Sequence, residues 1–483
     1  MREEILVCGG NGYIGNALVQ RLLFLGYSVV CLDNDLKEKW TQELGSISAI
    51  PTISINDKTK KFNKINKFKH YRVDIAKEPA QVRKIFKKHS FKTVVNLAQQ
   101  PSAAYSQISL KHSSETLTNN NIGTLNLLWI IKETNPDIHY IEIESMGCNQ
   151  PDINTNTPEG LFTFDFGGRT SMPSIFPKRA GSFYHSSKVN NTYLVDCAAR
   201  FWNLRITAIN QGIVYGAYTP EIEQTEIFSP MWCDECFGTV VHRFIVQALL
   251  KEDILIYGFG SQRRGFLALN DSVQCLELFI ANDQVKPGEV RFVNQLDEVY
   301  TIREIAEKVV NTLGKEYIIG LSTKVMNILQ RWSYPKTMAK LESLGQTNGI
   351  LVSKVDPAYT SQKCSECGHI DKEDRKGLEF PCLECGHESN ADYNAAKNIA
   401  NLGVYSLQGP EKEFTTIKYI PSPRVECTEE FYYNPITDTI KSFGFEQTRT
   451  VEDEVKFCTE HVMEDLSGLR SLIMPKINWR NQC

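Results

Sequence analysis

Tyr184 and Lys188 stand four residues apart in the run SFYHSSKVNN. On a helix that spacing puts both side chains on one face. A phenol beside an ammonium is a general base in waiting, because the neighbouring positive charge lowers the phenol pKa. Ser145 closes the expected strand HYIEIES, where its hydroxyl can share the proton. A YxxxK pair taken alone is common and often only a solvated helix face. Its place here, behind a glycine turn and with a serine at a strand end between them, favours catalysis. A second cluster has different chemistry. Cys364, Cys367, Cys382 and Cys385 form two CxxC pairs fourteen residues apart, each followed by glycine, Gly368 and Gly386. Four thiolates at this spacing suit tetrahedral zinc, and a site filled by four protein ligands is structural rather than catalytic. A disulfide pairing is the competing reading, disfavoured by an intracellular setting.

The glycine turn is Gly9, Gly12 and Gly15 in ILVCGGNGYIG, directly after an apolar run and opening a helix. Glycines there let the backbone approach a pyrophosphate, which the helix N-terminus then favours with free N–H groups. Asp33 follows at the end of the next strand, about twenty residues on. An acid at that point accepts from the ribose hydroxyls and selects NAD over NADP.

Elements must carry these residues to one place. EEILVC, YSVVCLD, HYRVDI, KTVVNLA, HYIEIES and RITAINQGIVYG read as strands. GNALVQRLLFLG, PAQVRKIFKKH, NIGTLNLLWIIKET and HSSKVNNTYLVDCAARFW read as helices between them. This alternation predicts an α/β fold, a Rossmann-type doubly wound parallel sheet. From about Ala217 the alternation loosens into a smaller α+β substrate domain, with strands ILIYG and VRFVNQ and the helix TIREIAEKVVNTLG, N-capped by Thr301. The domain expectation is 1–216 for nucleotide binding, 217–320 and 405–483 for the substrate, and 321–404 for an inserted zinc-ribbon segment with a strand GILVSKV and a helix ADYNAAKNIANLG. The strand EFTTIKYI and the helix VEDEVKFCTEHVMEDL follow it.

Composition sets bounds. A net charge of −4 over 483 residues gives no global basic signal for nucleic acid. No apolar run approaches the ~20 residues of a membrane span. Fourteen cysteines, ten of them scattered and several in apolar runs, suit a reducing compartment. The expectation is a cytoplasmic protein without a leader. Cys233 and Cys236 make one pair without a second, read as a loop over the sugar.

The glycine turn, Ser145 and the Tyr184–Lys188 pair together resemble the extended short-chain dehydrogenase/reductase family of sugar-nucleotide enzymes. The runs NNIGTLN, SFYHSSKV, NQGIVYG, FGTVVHRFIVQA, RRGFLALNDSVQC, IPSPRVE, EFYYN and IMPKINW resemble its sulfolipid branch, over about 1–320 and 412–480. The resemblance implies a homodimer with tightly held NAD that acts on UDP-glucose and sulfite. C4 of the sugar is oxidised with Tyr184 as base and Lys188 and Ser145 in support. The 4-ketone acidifies C5–H, water leaves across C5–C6, sulfite adds at C6, and the hydride returns. It implies cofactor contacts at Tyr13 and Ile14 in the glycine turn, at Asn34, at Asp74 and Ile75, at Leu97 and Ala98, and at Asn119. It implies substrate contacts at His185, Asn210, Arg264 and Arg424. Two departures touch sulfite capture: the family carries Glu where this chain has Cys148, and Arg where it has Pro101. An epimerase or dehydratase of the same family is therefore a standing alternative.

VDPAYTSQKCSECGHI and NADYNAAKNIANLG around the four cysteines resemble the C-terminal end of TnpB-type, transposon-encoded RNA-guided nucleases. In that family Asp392 would be one carboxylate of a three-carboxylate metal site. The segments carrying the other two are absent, and one carboxylate cannot hold two metals, so no nuclease activity is expected. A DNA- or RNA-binding ribbon fused to an inactive reductase fold is a third reading.

Overall fold

The computed structural model describes residues 3–149, 157–163, 165–166, 169–250, 254, 256, 260–313, 361–376, 379–398 and 449–463. The chain divides into two compact units, Met1–Val325 with Cys427–Cys483, and Met326–Glu426. Arg424 and the expected strands GILVSKV and EFTTIKYI lie outside the described residues.

In the first unit the strands run in chain order as β1 (Glu4–Cys8), β2 (Ser28–Asp33), β3 (Phe68–Arg72), β4 (Phe91–Asn96) and β5 (His139–Ser145). A short hairpin follows, β6 (Asp165–Phe166) with β7 (Arg169–Thr170). Then come β8 (Arg205–Gln211), β9 (Ile213–Tyr215), β10 (Arg263–Ala268), β11 (Val290–Gln295) and β12 (Glu298–Thr301). Seven of them make one sheet in the order β11-β8-β5-β4-β1-β2-β3, and every pairing in it is parallel. Parallel strands need crossover helices, and these cover both faces. Ile5 and Val7 pack into one layer with the helix Tyr13–Phe24 and the helix Leu269–Ala281. Leu6 and Cys8 point the other way, into a layer built by the helices Pro79–Lys88, Gly123–Thr134 and Phe183–Trp202. The chain reverses its direction across the sheet between β1 and β4, which opens a crevice at the strand ends there.

The expected strand RITAINQGIVYG is two strands. Gly212 donates to Gln295 at 2.8 Å and ends the large sheet's ladder. Ile213 then pairs with Phe266, so β9 joins β10 and β12 in a second, three-stranded sheet. This second layer holds its own core. Buried side chains of the helices Val240–Leu249, Ile302–Leu313 and Val451–His461 meet there, Phe244, Ile305 and Val455 among them. Thr301 caps its helix as expected, accepting from Glu304 N at 3.1 Å. Ile254 and Ile256 of the expected strand ILIYG are buried.

In the second unit, β13 (Glu379–Pro381) pairs antiparallel with β14 (Glu388–Asn390), and 391–398 are helical. The helix is tied to the first cysteine turn: Asn394 accepts from Ser365 N at 2.8 Å and donates to the Lys363 carbonyl at 2.7 Å. Cys364, Phe380, Cys382 and Ala391 form the small core.

Candidate active site and metal centre

The crevice beside β1 is a cleft of about 400 Å³. Gly9 and Gly12 form its floor and Asp33 one wall. Gly9 has φ +81, and a Cβ there would stand 2.6 Å from the Leu97 carbonyl carbon; a Cβ on Gly15 would stand 2.1 Å from the Gly9 oxygen. Only bare backbone fits, and it ends in the N-terminus of the helix Tyr13–Phe24. Asp33 accepts from Asn11 N and Asp35 N, each at 2.9 Å. Burial holds its carboxyl above the usual range, and those two amides oppose the shift. Asn34, Ile75, Leu97, Ala98 and Asn119 line the same cleft. Asp74 does not: its Oδ1 accepts from Ala76 N and Lys77 N and fixes the turn before the helix Pro79–Lys88. The Tyr13 hydroxyl donates to the Gly216 carbonyl at 2.5 Å.

Pro230 and Trp232 also line this cleft. The loop of Cys233 and Cys236 thus borders the nucleotide crevice, and the Cys236 carbonyl accepts from Ser102 Oγ at 2.5 Å, next to Pro101. It is held there by a backbone pair, Ala49 N to the Met231 carbonyl at 2.8 Å, with Ser46 Oγ donating to Asp234 at 2.5 Å. Both thiols are buried and pushed up to about 12 by burial.

A smaller cavity of about 140 Å³ adjoins the cleft, and Leu97 and Gln99 line both. Ser145, Tyr184 and Lys188 line it, with Ile14, Pro101 and Glu144. The end of β5 supplies Ser145; the helix Phe183–Trp202, capped by Ser182 Oγ, supplies the other two. An asparagine-rich turn locks that helix to the cleft. Asn120 donates to the Gln100 carbonyl at 3.1 Å and to Ser187 Oγ at 2.8 Å, and Asn121 donates to the Ser187 carbonyl at 2.7 Å.

The phenol differs from expectation. Burial holds the Tyr184 pKa above its ordinary value, the Cys148 thiol adds to that, and Ser145 opposes it. The Lys188 ammonium lies 5.9 Å from the Tyr184 ring centroid and donates to the Ile143 carbonyl, so its pull does not outweigh burial. His185 shares a proton with Ser182 Oγ at 2.9 Å through Nδ1, and burial lowers its pKa to about 4, which keeps it neutral. Cys148 is buried and its thiol is pushed up to about 12 by burial. Asn210 is buried and tied at both ends, accepting from Lys178 at 3.0 Å and donating to Asn294 at 3.1 Å. Arg264 is half-buried; it donates to the Arg263 carbonyl at 2.7 Å, and burial lowers its pKa. Glu144 and Lys178 were not picked out from the sequence.

In the second unit the four sulfurs of Cys364, Cys367, Cys382 and Cys385 lie within 4.8 Å of one another. Cys364 and Cys385 are 3.7 Å apart, as are Cys367 and Cys382. A tetrahedron with Zn–S arms of ~2.3 Å has edges of about 3.8 Å, so the residues fit zinc. Both turns have the same form: Gly368 N donates to Cys364 O and Gly386 N to Cys382 O, each at 3.0 Å. Asp392 is exposed and paired with Arg375 at 3.0 Å.

Residues 5–293 match the NAD dependent epimerase/dehydratase family, and the chain belongs to it. Within that class it is an NAD-dependent nucleotide-sugar enzyme, UDP-sulfoquinovose synthase-like. The spinach (Spinacia oleracea) chloroplastic UDP-sulfoquinovose synthase is 35% identical over 331 residues, 68% of this chain and 67% of that one. The Sulfolobus acidocaldarius UDP-sulfoquinovose synthase is 33% identical over 329 residues, 67% of this chain and 81% of that one. Residues 334–399 match the Cas12f1-like TNB domain. The CRISPR-associated endodeoxyribonuclease Cas12f1 of Sulfoacidibacillus thermotolerans is 43% identical over 90 residues, 18% of this chain and 21% of that one. Among the described residues no helix is long and apolar enough to cross a membrane.

Proposed function

We propose that this chain makes UDP-sulfoquinovose from UDP-glucose and sulfite, with NAD in the glycine-floored cleft and zinc in the ribbon. The observation that carries the reading is the junction of two cavities at Leu97 and Gln99: the smaller one, lined by Tyr184, adjoins the glycine-floored cleft. Bound NAD⁺ supplies the hydride acceptor. Gly9, Gly12 and the helix behind them hold its diphosphate, and Asp33 its adenosine ribose. Tyr184, sharing a proton with Ser145, takes the proton of the sugar C4 hydroxyl, and Lys188 steadies the phenolate that does so. The C4 ketone then makes C5–H acidic enough for a protein base, loss of the C6 hydroxyl as water opens C6 to sulfite, and return of the hydride with a proton from Tyr184 restores the C4 hydroxyl. Cys148, buried as an un-ionised thiol, plays no part in these proton moves.

The ribbon is a closed structural metal knot, and no nuclease activity is expected of it, since Asp392 is one carboxylate where a two-metal site needs several. A second reading, an epimerase or dehydratase of the same family, is favoured by one feature: Lys188 is the one cation lining the smaller cavity among the described residues, and Pro101 is in the same lining. Rapid mixing with UDP-glucose tests the shared first step. Reduced nicotinamide absorbance should appear in the wild type and fall at least about 100-fold in rate in Tyr184→Phe. Equal rates in the two would overturn the proposal.

A further inference from the structure

Strand β5 carries two carboxyls on one face, and their surroundings are opposite. Glu142 is buried and accepts from Asn96 Nδ2 at 3.0 Å, Asn191 Nδ2 at 3.0 Å, the Tyr140 hydroxyl at 2.5 Å and Gln99 Nε2. Glu144, two residues on and 2% exposed, belongs to the wall of the catalytic cavity. Neither of its oxygens meets a donor at full hydrogen-bond geometry; the Thr192 hydroxyl is near enough to favour the ionised form, as the smallest of the influences on it.

Every group that faces Glu144 is already engaged. Lys178 donates to Thr192 Oγ1 at 2.9 Å and to Asn210 at 3.0 Å. Thr192 gives its own proton to the Lys188 carbonyl at 3.1 Å. Lys188 donates to the Ile143 carbonyl. Asn210, opposite Glu144 on β8, is tied to Lys178 and Asn294. Glu142 on the same strand and the Cys148 thiol complete the surroundings. A carboxylate without donors here would bear its whole desolvation cost, and a neutral acid would not. Burial pushes the Glu144 carboxyl up to about 8; Lys178, Lys188 and the Thr192 hydroxyl oppose this, and Glu142 adds to it. Two carboxyls whose environments drive them apart mark different roles.

We propose that Glu144 is a positioning residue of the catalytic pocket: kept neutral, it leaves the Lys188 ammonium to the Tyr184 phenol, and once it gives its proton to solvent it competes for that ammonium and weakens the base. The inference rests on the reading of Tyr184 as the base of sugar oxidation. Its electrostatic basis is direct, since a charge on Glu144 raises the Tyr184 pKa and attracts Lys188.

Two measurements on the NAD-loaded full chain test it. The first is infrared difference spectroscopy of the resting enzyme at neutral pH. The wild-type minus Glu144→Gln and wild-type minus Glu144→Met spectra should each show a protonated-carboxyl C=O band, while buried acids common to all three proteins, Glu454 among them, cancel. The second is the rate of nicotinamide reduction by UDP-glucose across pH. The ratio of Glu144→Gln to wild type should be near one at about pH 6.5 and rise about tenfold by about pH 9, the effect of one pKa unit on the phenol. Glu144→Met, also neutral, should follow the same curve. Absence of the band, or a ratio that stays flat with pH, overturns the inference. A wild type that never reduces its cofactor with UDP-glucose sinks the functional reading and this role with it, while the band still reports the proton.

Discussion

Glu454 accepts a hydrogen bond from the backbone N–H of Ala217 at 2.9 Å, across 237 positions of sequence. The whole ribbon segment lies between the two residues, yet both belong to the first unit. Tyr218 N reaches the same oxygen at 3.3 Å, and Arg449 meets the other at 3.2 Å. Val451, Val455 and Cys458 of the same helix are fully buried beside the helix Ile302–Leu313, and each such side chain stabilises by roughly 1.5–3 kcal/mol. Lys308, before the insert, pairs with Glu452, after it, at 2.6 Å. The enzyme is therefore finished by chain that resumes beyond the ribbon.

Removing the strut should be costly. Glu454→Ala leaves two buried amides and Arg449 without their acceptor and should lose about 3 kcal/mol in urea unfolding. A loss under about 1 kcal/mol would contradict this. Burial raises the Glu454 pKa to about 7, with Arg449 and the two amides opposing. A raised carboxyl contributes stability that is whole below its unfolded pKa and is lost as pH rises through the folded one. Glu454→Gln does not titrate. Wild-type stability should therefore fall relative to Glu454→Gln between about pH 4.5 and pH 7, by on the order of 3 kcal/mol.

Gly15→Ala places a methyl 2.1 Å from the Gly9 oxygen. The helix itself tolerates alanine, so the damage falls on the nucleotide turn. Calorimetric titration should show NAD affinity weakened at least about tenfold, or the cofactor lost on purification. Wild-type affinity would show that the turn is not the cofactor cradle.

Cys148→Ala should leave the pH profile of sugar oxidation unchanged to within about twofold from pH 6 to 9, because a thiol held near 12 keeps its proton throughout that range and exchanges none. A displaced limb would make Cys148 part of the proton relay.

The ribbon should be chemically separable. Cys364→Ser with Cys382→Ser should release one zinc per chain, read by elemental analysis. The rate of sugar oxidation should stay within about twofold, since a closed thiolate site holds no open position for substrate. A proportional loss of oxidation with zinc would make the ribbon part of the enzyme.

Much of this site was legible in the sequence because its parts are local. A glycine turn between strand and helix, a serine at a strand end and a tyrosine four residues before a lysine each carry their geometry in their spacing. The helices Leu36–Glu43, Ile55–Ile65 and Leu110–Leu117 were missed. Each buries only two side chains and is polar overall, so little in it reads as a core-facing run. Glu144 was passed over for a related reason. HYIEIES alternates apolar and polar residues, as a strand with one wet face does, so nothing in the run singles out a buried carboxyl. Only a sheet covered on both sides makes Glu142 and Glu144 buried carboxyls. That the loop at Trp232 borders the nucleotide crevice was not legible in the sequence, because its position depends on a pairing of Met231 with Ala49, far away in sequence, that no local pattern signals. The lowering of the Tyr184 phenol by Lys188 was a correct pairwise argument overruled by burial.

The identity of the product decides the account. UDP-glucose and NAD⁺ should be incubated with the enzyme, with and without sulfite, and the sugar nucleotides weighed by mass spectrometry. A sulfonated UDP-hexose that forms only when sulfite is present is the result expected. An isomer or dehydrated sugar formed in equal yield with or without sulfite would contradict it and leave the epimerase or dehydratase reading in its place.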